Sequence, residues 1–223
     1  EPFLRTDDPA SANSGVFFRT LGSGVSIVLN ANSFIGQNAL TDGPNGLDNG
    51  KAPGATTGIG SDTNNTSAIN STARGAILEI KGNISGTGGL TKQSIDTVIL
   101  SGANTYSGPT AIANGTLRLG AAGGVSSASD LSTTGRGVFD LSGFNSTINS
   151  LSAPNVGTTG AFISAAGFVT NSGTTLKTLT VGTATSTKDT IYGGVIQNNV
   201  RLVKAGPRVL QLSNRNTYFG GTE

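Results

Sequence analysis

Residues 86–120 read GTGGLTKQSIDTVILSGANTYSGPTAIANGTLRLG, and this stretch decides the fold. It contains three short apolar strands, Leu90–Lys92, Val98–Leu100 and Thr116–Leu119, with a half-polar crossing at Thr110–Ile112 between the last two. Gly, Asn, Ser or Pro separates each from the next, and these residues turn a backbone at little cost. Intervals of about eight to ten residues leave no room for a crossover helix. Strands so short and so regular suit a sandwich, a barrel or a coiling solenoid.

The same phrase returns near the C-terminus. Residues 202–222, LVKAGPRVLQLSNRNTYFGGT, match 90–110 at nine of 21 positions with an offset of 112. The shared residues are Leu90/Leu202, Lys92/Lys204, Leu100/Leu212, Ser101/Ser213, Asn104/Asn216, Thr105/Thr217, Tyr106/Tyr218, Gly108/Gly220 and Thr110/Thr222. Upstream, Gly82 and Ile84 match Gly194 and Ile196. Repetition of a strand phrase together with its turn residues marks a solenoid, since a sandwich or closed barrel has no cause to repeat it.

These residues resemble the autotransporter-associated β-strand repeat, also called the passenger-associated transport repeat. Gly88-Gly89-Leu90-Thr91-Lys92, Leu100 through Gly108, and Asn114-Gly115-Thr116-Leu117 carry the resemblance in order. The first copy, about 86–120, departs from the family at Gln93–Thr97, where a Gly-rich turn is usual. The second, about 194–223, keeps Lys204-Ala205-Gly206 but has Asn214-Arg215 in place of Gly-Ala. The resemblance implies a right-handed parallel β-helix exported as the passenger of a bacterial surface protein.

Composition agrees with a coil of strands. Gly, at 34 of 223 residues, is about twice its average usage, and charged residues make up only 12%. The recurring Val, Ile and Leu strands supply something to bury in each turn, which separates the chain from a disordered Gly/Ser/Asn tract. A net charge of +2 is too small to indicate nucleic acid or an anionic membrane as a partner. No run approaches the ~20 apolar residues of a membrane span. The absence of Cys suits export of an unfolded chain.

Residues 1–14 read as a polar tail or cap, and 15–223 as one β-helix domain. Strands are expected at Val16–Arg19, Val25–Leu29, Ala76–Lys81, Val138–Leu141, Ile148–Leu151, Ala161–Ser164, Leu176–Val181, Ile191–Ile196, Val200–Val203 and Val209–Leu212, besides those above. From Phe34 to Arg74 the periodicity fails, so 34–74 is expected to be a loop excursion and the first segment cut by trypsin. At roughly 20–25 residues per coil the chain would form about nine or ten coils, a rod of roughly 45 Å. The two copies, about five coils apart, are expected to share one corner type.

Leu90, Leu100, Leu117, Leu202 and Leu212 are expected to face inward. Gly102, Asn104 and Gly108, with Asn216 and Gly220 in the second copy, are expected at corners where φ > 0 is easily adopted. Tyr106 and Tyr218 would lie over corners or cap the next rung, and Lys92 and Lys204 complete the repeat. The second copy stops at Thr222-Glu223, so the last rung is expected to need a cover, from a longer chain or from the next subunit.

Chemistry is sparse. Without His or Cys there is no Ser-His-Asp or Cys-His site and no usual zinc set. The 12 acids are scattered, with Asp7-Asp8 as the one adjacent pair, which disfavours a glycosidase pair. GTGGLTKQ lacks the spacing of a phosphate loop. Asp42, Asp48 and Asp62, with Asn45 and Asn49, are weak calcium candidates whose spacing fits no known calcium loop. The six Asn-x-Ser/Thr sequons match chance for so Asn-, Ser- and Thr-rich a chain. The expectation is therefore a non-enzymatic structural or adhesive module, extracellular or at the bacterial cell surface, without a cofactor. Its partners would be other copies stacked end to end, or a host or matrix surface. Two alternatives stay open, a self-assembling filament subunit and a β-helix that binds or cleaves polysaccharide.

Overall fold

A computed structural model of the chain describes residues 18–35, 58–59, 77–155 and 166–223. Alternating side chains in short strands give each coil an inward row, and the corners between strands need only one to a few residues. The first coil is β1 (Phe18–Leu21), β2 (Ile27–Leu29) and β3 (Ser33–Ile35), with β4 (Gly58–Ile59) beside β3. The second is β5 (Ile77–Ile80), β6 (Ile84–Gly86) and β7 (Leu90–Lys92). The third holds β8 (Thr97–Leu100) and β9 (Thr110–Ile112), and the fourth β10 (Thr116–Leu119) and β11 (Asp130–Thr133). The fifth is β12 (Gly135–Asp140), β13 (Ser146–Ile148) and β14 (Ser150–Ser152). The sixth is β15 (Ala166–Thr170), β16 (Lys177–Val181) and β17 (Thr190–Tyr192). The seventh is β18 (Val195–Asn198), β19 (Val200–Lys204) and β20 (Leu210–Leu212), and β21 (Thr217–Tyr218) opens an eighth.

Every strand pair among the described residues is parallel. Three faces result, which makes the fold a parallel β-helix. Face one is the eight-stranded sheet β1-β5-β8-β10-β12-β15-β18-β21. Face two is broken into β2-β6 and β13-β16-β19, and coils three and four carry no strand between them. Face three is β4-β3-β7-β9-β11-β14, continued by β17-β20 through the bridge between Ala153 and Tyr192.

The core is a set of stacked columns. On face one Leu78 pairs with Val98, Val98 with Leu117 and Leu117 with Phe139, at intervals of 20, 19 and 22 residues. Val169 and Ile196 extend the column, and all six side chains are buried. Ile80, Leu100 and Leu119 form a second column beside it. Each such side chain contributes about 1.5–3 kcal/mol by leaving water. Face one has eight rungs among the described residues, where nine or ten coils were expected of the whole chain; Phe18 and Ile77 are register partners 59 residues apart, and the later coils are also longer than the middle ones. Phe139 pairs with Val169 and Val169 with Ile196, at intervals of 30 and 27 residues.

The two copies of the repeat do not share a corner type. Leu90 lies on face three, Leu100 on face one and Thr110 on face three again. In the second copy Leu202 lies on face two, Leu212 on face three, and Thr222 returns to bridge Leu202 on face two. The phrase spells one full coil in both cases, but the second starts one face earlier in the winding. A coil-length phrase is periodic, so any of the three corners can serve as its beginning.

Two runs expected as single strands turn a corner instead. Ile148–Leu151 divides at Asn149 into β13 and β14, and Ile191–Ile196 divides at Gly193-Gly194 into β17 and β18. A Cβ on Gly193 would lie 1.9 Å from the Pro154 carbonyl oxygen, so glycine is required for that turn. β3, β11 and β15 were not anticipated as strands, since Ser, Thr and Gly dilute their apolar pattern. Phe34 and Ile35, assigned to the excursion, belong to β3. Apart from Gly58–Ile59 the rest of 34–74 lies outside the described residues, together with Asp42, Asn45, Asp48, Asn49 and Asp62. Residues 1–14 and Ala161–Ser164 do too.

Candidate functional site

The repeat's shared residues hold one rung to the next. Gly102, Asn104 and Gly108 do not have positive φ, contrary to expectation. The two glycines are instead places of close approach. A Cβ at Gly102 would meet the Gly82 carbonyl oxygen at 2.2 Å, and one at Gly108 the Gly88 carbonyl carbon at 2.3 Å. At Gly220 it would meet Arg201 Cα at 2.7 Å. Asn104 is a rung-to-rung clamp. Its Oδ1 accepts from the Ile84 amide at 2.7 Å, and its Nδ2 donates to the Gly124 carbonyl at 2.6 Å, joining the coils on either side. Asn216 repeats half of this, accepting from the Ile196 amide at 2.8 Å. Asn171, outside both copies, is a third clamp, accepting from the Gly143 amide at 2.8 Å and donating to the Asn199 carbonyl at 2.9 Å.

Tyr106 does not lie over a corner. It is fully buried, and its hydroxyl meets Thr110 Oγ1 at 2.7 Å, which meets Ser129 Oγ at 2.8 Å, which donates to the Gly108 carbonyl at 2.8 Å. Burial pushes the Tyr106 phenol up to about 12, against the opposing pull of these partners. Tyr218 repeats the contact with Thr222 but is only partly buried.

Lys92 is buried and pairs with Asp96 at 2.6 Å, while its ammonium also donates to Ser94 Oγ at 3.0 Å and the Asn114 carbonyl at 3.3 Å. Burial pushes its pKa down, opposed by the Asp96 carboxylate. Lys204 has Arg208 where Lys92 has Asp96, and donates to the Ala205 and Gly206 carbonyls only. The repeat's lysine thus ties down the turn that follows it, with or without an acid. Sequence reasoning missed Asp96 as the partner; its spacing of four residues from Lys92 was the available signal.

Leu90, Leu100, Leu117 and Leu202 are buried as expected, and Leu212 is only partly buried, with Val209 and Phe219 exposed near it. Other ionisable groups are also engaged between rungs. Arg118 pairs with Asp140 at 3.0 Å, and Asp140 accepts from the Ser142 and Ser172 amides at 2.9 Å. Asp130 accepts from Asn149, Ser150 and Lys188. No group of three or more metal-ligating side chains occurs among the described residues.

One surface feature stands apart from this scaffold. Where face two is broken, a groove of ≈ 520 Å³ crosses coils three to six. Asn104 and Val125, both buried, line it together with Ser127, Asn145, Thr147, Thr178 and Thr180. Asn145 is fixed by accepting from the Thr178 amide at 2.9 Å. The hydroxyls of Ser127, Thr147, Thr178 and Thr180 make no hydrogen bond among the described residues.

The passenger-associated-transport-repeat model matches residues 90–119 and 202–223, the two stretches whose side chains clamp the rungs. The chain carries two copies of the passenger-associated transport repeat. It is 32% identical over 159 residues to the Adhesin BmaC autotransporter of Brucella suis biovar 1 (strain 1330). That match covers 70% of this chain and 4% of the adhesin's length. No solved structure matches. The passenger-associated transport repeat chain is thus a surface β-helical module, placed at the bacterial cell surface or in the extracellular space. Among the described residues, no helix is long and apolar enough to cross a membrane.

Proposed function

We propose that the chain is a non-enzymatic adhesive segment, a stiff β-helical rod that carries a contact surface for host or matrix material. The observation that carries this is the similarity to an adhesin along 70% of the chain. The engagement of Lys92 and Asp96 with each other in a turn, and of Arg118, Asp130 and Asp140 in rung-to-rung bonds, supports a scaffold over a catalyst, because an acid–base site needs groups free to exchange protons with a substrate. Parallel stacking suits the role, since a rod extended coil by coil presents side chains outward at a constant spacing of about 4.8 Å.

The test is adhesion of beads coated with the purified chain to cultured epithelial cells and to matrix-coated glass. Beads carrying an unfolded Leu117→Asp variant serve as control. Folded chain should retain beads and the variant should not. Equal retention of the two, or cleavage of a polysaccharide panel by the folded chain, would contradict the proposal.

A further inference from the structure

We propose that the groove across the break in face two binds an uncharged, hydroxyl-rich polymer, a neutral glycan strand lying along the rod axis. This rests on the adhesive function proposed above and names the ligand class of its contact surface. Two observations argue against other occupants in turn. Among the described residues no ionisable side chain lines the groove, so a polyanion or a charged peptide finds no counter-charge there. Among the described residues no exposed aromatic or large aliphatic side chain lines it either; Val125 is 2% exposed and already packed in the core, so a protein partner finds no anchor pocket among them. What remains is a set of neutral donors and acceptors, the Ser127, Thr147, Thr178 and Thr180 hydroxyls and the Asn145 carboxamide. The four hydroxyls have no partner within the described chain.

Their arrangement favours a repeating ligand. Thr147 and Thr180 are register partners on adjacent rungs, and Asn145 lies one outward position before Thr147. Ser127 belongs to the preceding coil and Asn104 to the one before it. The Asn104 amide is engaged as a clamp, so the hydrogen-bonding groups open to a ligand lie on three rungs, coils four to six, spanning about 10 Å along the axis at about 4.8 Å per rung. A linear glycan presents hydroxyls at each sugar ring and can meet this row rung by rung. Without an aromatic platform each contact is weak, so affinity must come from several rungs acting together.

The experiment uses the full 223-residue chain, labelled with nitrogen-15. The probes are hexasaccharides of β-1,3-glucan, β-1,4-glucan, α-1,6-glucan and α-1,6-mannan, with a heparin hexasaccharide as the anionic control. At least one neutral probe should shift the amides of Ser127, Thr147 and Thr180, with an affinity that added salt leaves unchanged. The variant Thr147→Val/Thr180→Val keeps side-chain shape and should weaken that binding about tenfold while melting like the parent. Ser127→Ala, in an exposed turn, gives a second variant expected to weaken binding. The proposal is overturned if no neutral probe binds, if the shifts map elsewhere, if both variants bind like the parent, or if heparin alone binds. Should coated beads still adhere in any of those cases, the adhesive function stands and the glycan groove falls.

Discussion

Tyr106 shows how a single residue of the repeat does its work. Its phenol is buried and pushed up to about 12 from an ordinary 10.0, so the folded chain holds the neutral form more strongly than the unfolded chain does. Its contribution is therefore complete below pH 10 and is lost as pH rises toward 12, where the unfolded phenol has already ionised. The gap corresponds to about 3 kcal/mol. Melting temperature followed from pH 8 to 12 should fall steeply for the parent chain. Tyr106→Phe should start lower, having lost the Thr110 contact, and fall less steeply. Sequence alone marked Tyr106 as important, because it recurs as Tyr218, but could not place it inside: the tyrosine's pattern of neighbours, Asn-Thr-Tyr-Ser-Gly, reads as a turn. The same limit applies to Gly102 and Gly108, whose requirement comes from the adjacent coil. Gly108→Ala should destabilise markedly, since a backbone carbonyl would have to move; Gly123→Ala, where the nearest atom is 4.0 Å away, should cost only the strain of its φ of +81°, about 1–2 kcal/mol. Chemical denaturation of the two variants checks this order.

Within one element the decisive variable is whether a coil has a neighbour on both sides. Leu100 and Leu212 are the same position of the repeat, yet Leu100 is fully buried between rungs and Leu212 is half-buried among the last described residues. Leu100→Asp should therefore cost more than about 4 kcal/mol, by placing an unpaired charge among apolar neighbours, and Leu212→Asp only about 1–2 kcal/mol. The clamps follow the same rule. Asn104→Ala removes hydrogen bonds to two coils and should cost about 2 kcal/mol, whereas Asn216→Ala removes one cross-rung bond near the surface and should cost about 1. Urea titrations of the four variants test both pairs. The strands themselves were largely legible, because β7, β8, β9 and β10 alternate cleanly between turn residues. β11 and β15 were not, since DLST and AGFVT lack the apolar alternation and become strands only because a neighbouring rung supplies their hydrogen bonds. The groove was likewise hidden. TLKTLTVG shows its threonines, but nothing local shows that coils three and four leave face two without a strand.

For the whole molecule, the account rests on one arrangement, parallel strands in register from coil to coil, with the repeat phrase free to begin on any face. The repetition of the phrase was enough to choose a solenoid over a sandwich. It was not enough to fix the phase, because sequence spacing records a coil's length and not its starting corner. The second copy accordingly sits on faces two and three where the first sits on three and one. Backbone amide contacts in solution test the arrangement most directly. Nuclear Overhauser effects should link the Leu117 strand segment to Val98 on one side and Phe139 on the other, and Leu202 to Leu179. Contacts joining β10 to β9 or β11 in antiparallel order, or the lack of any contact between the Leu202 and Leu179 segments, would contradict it.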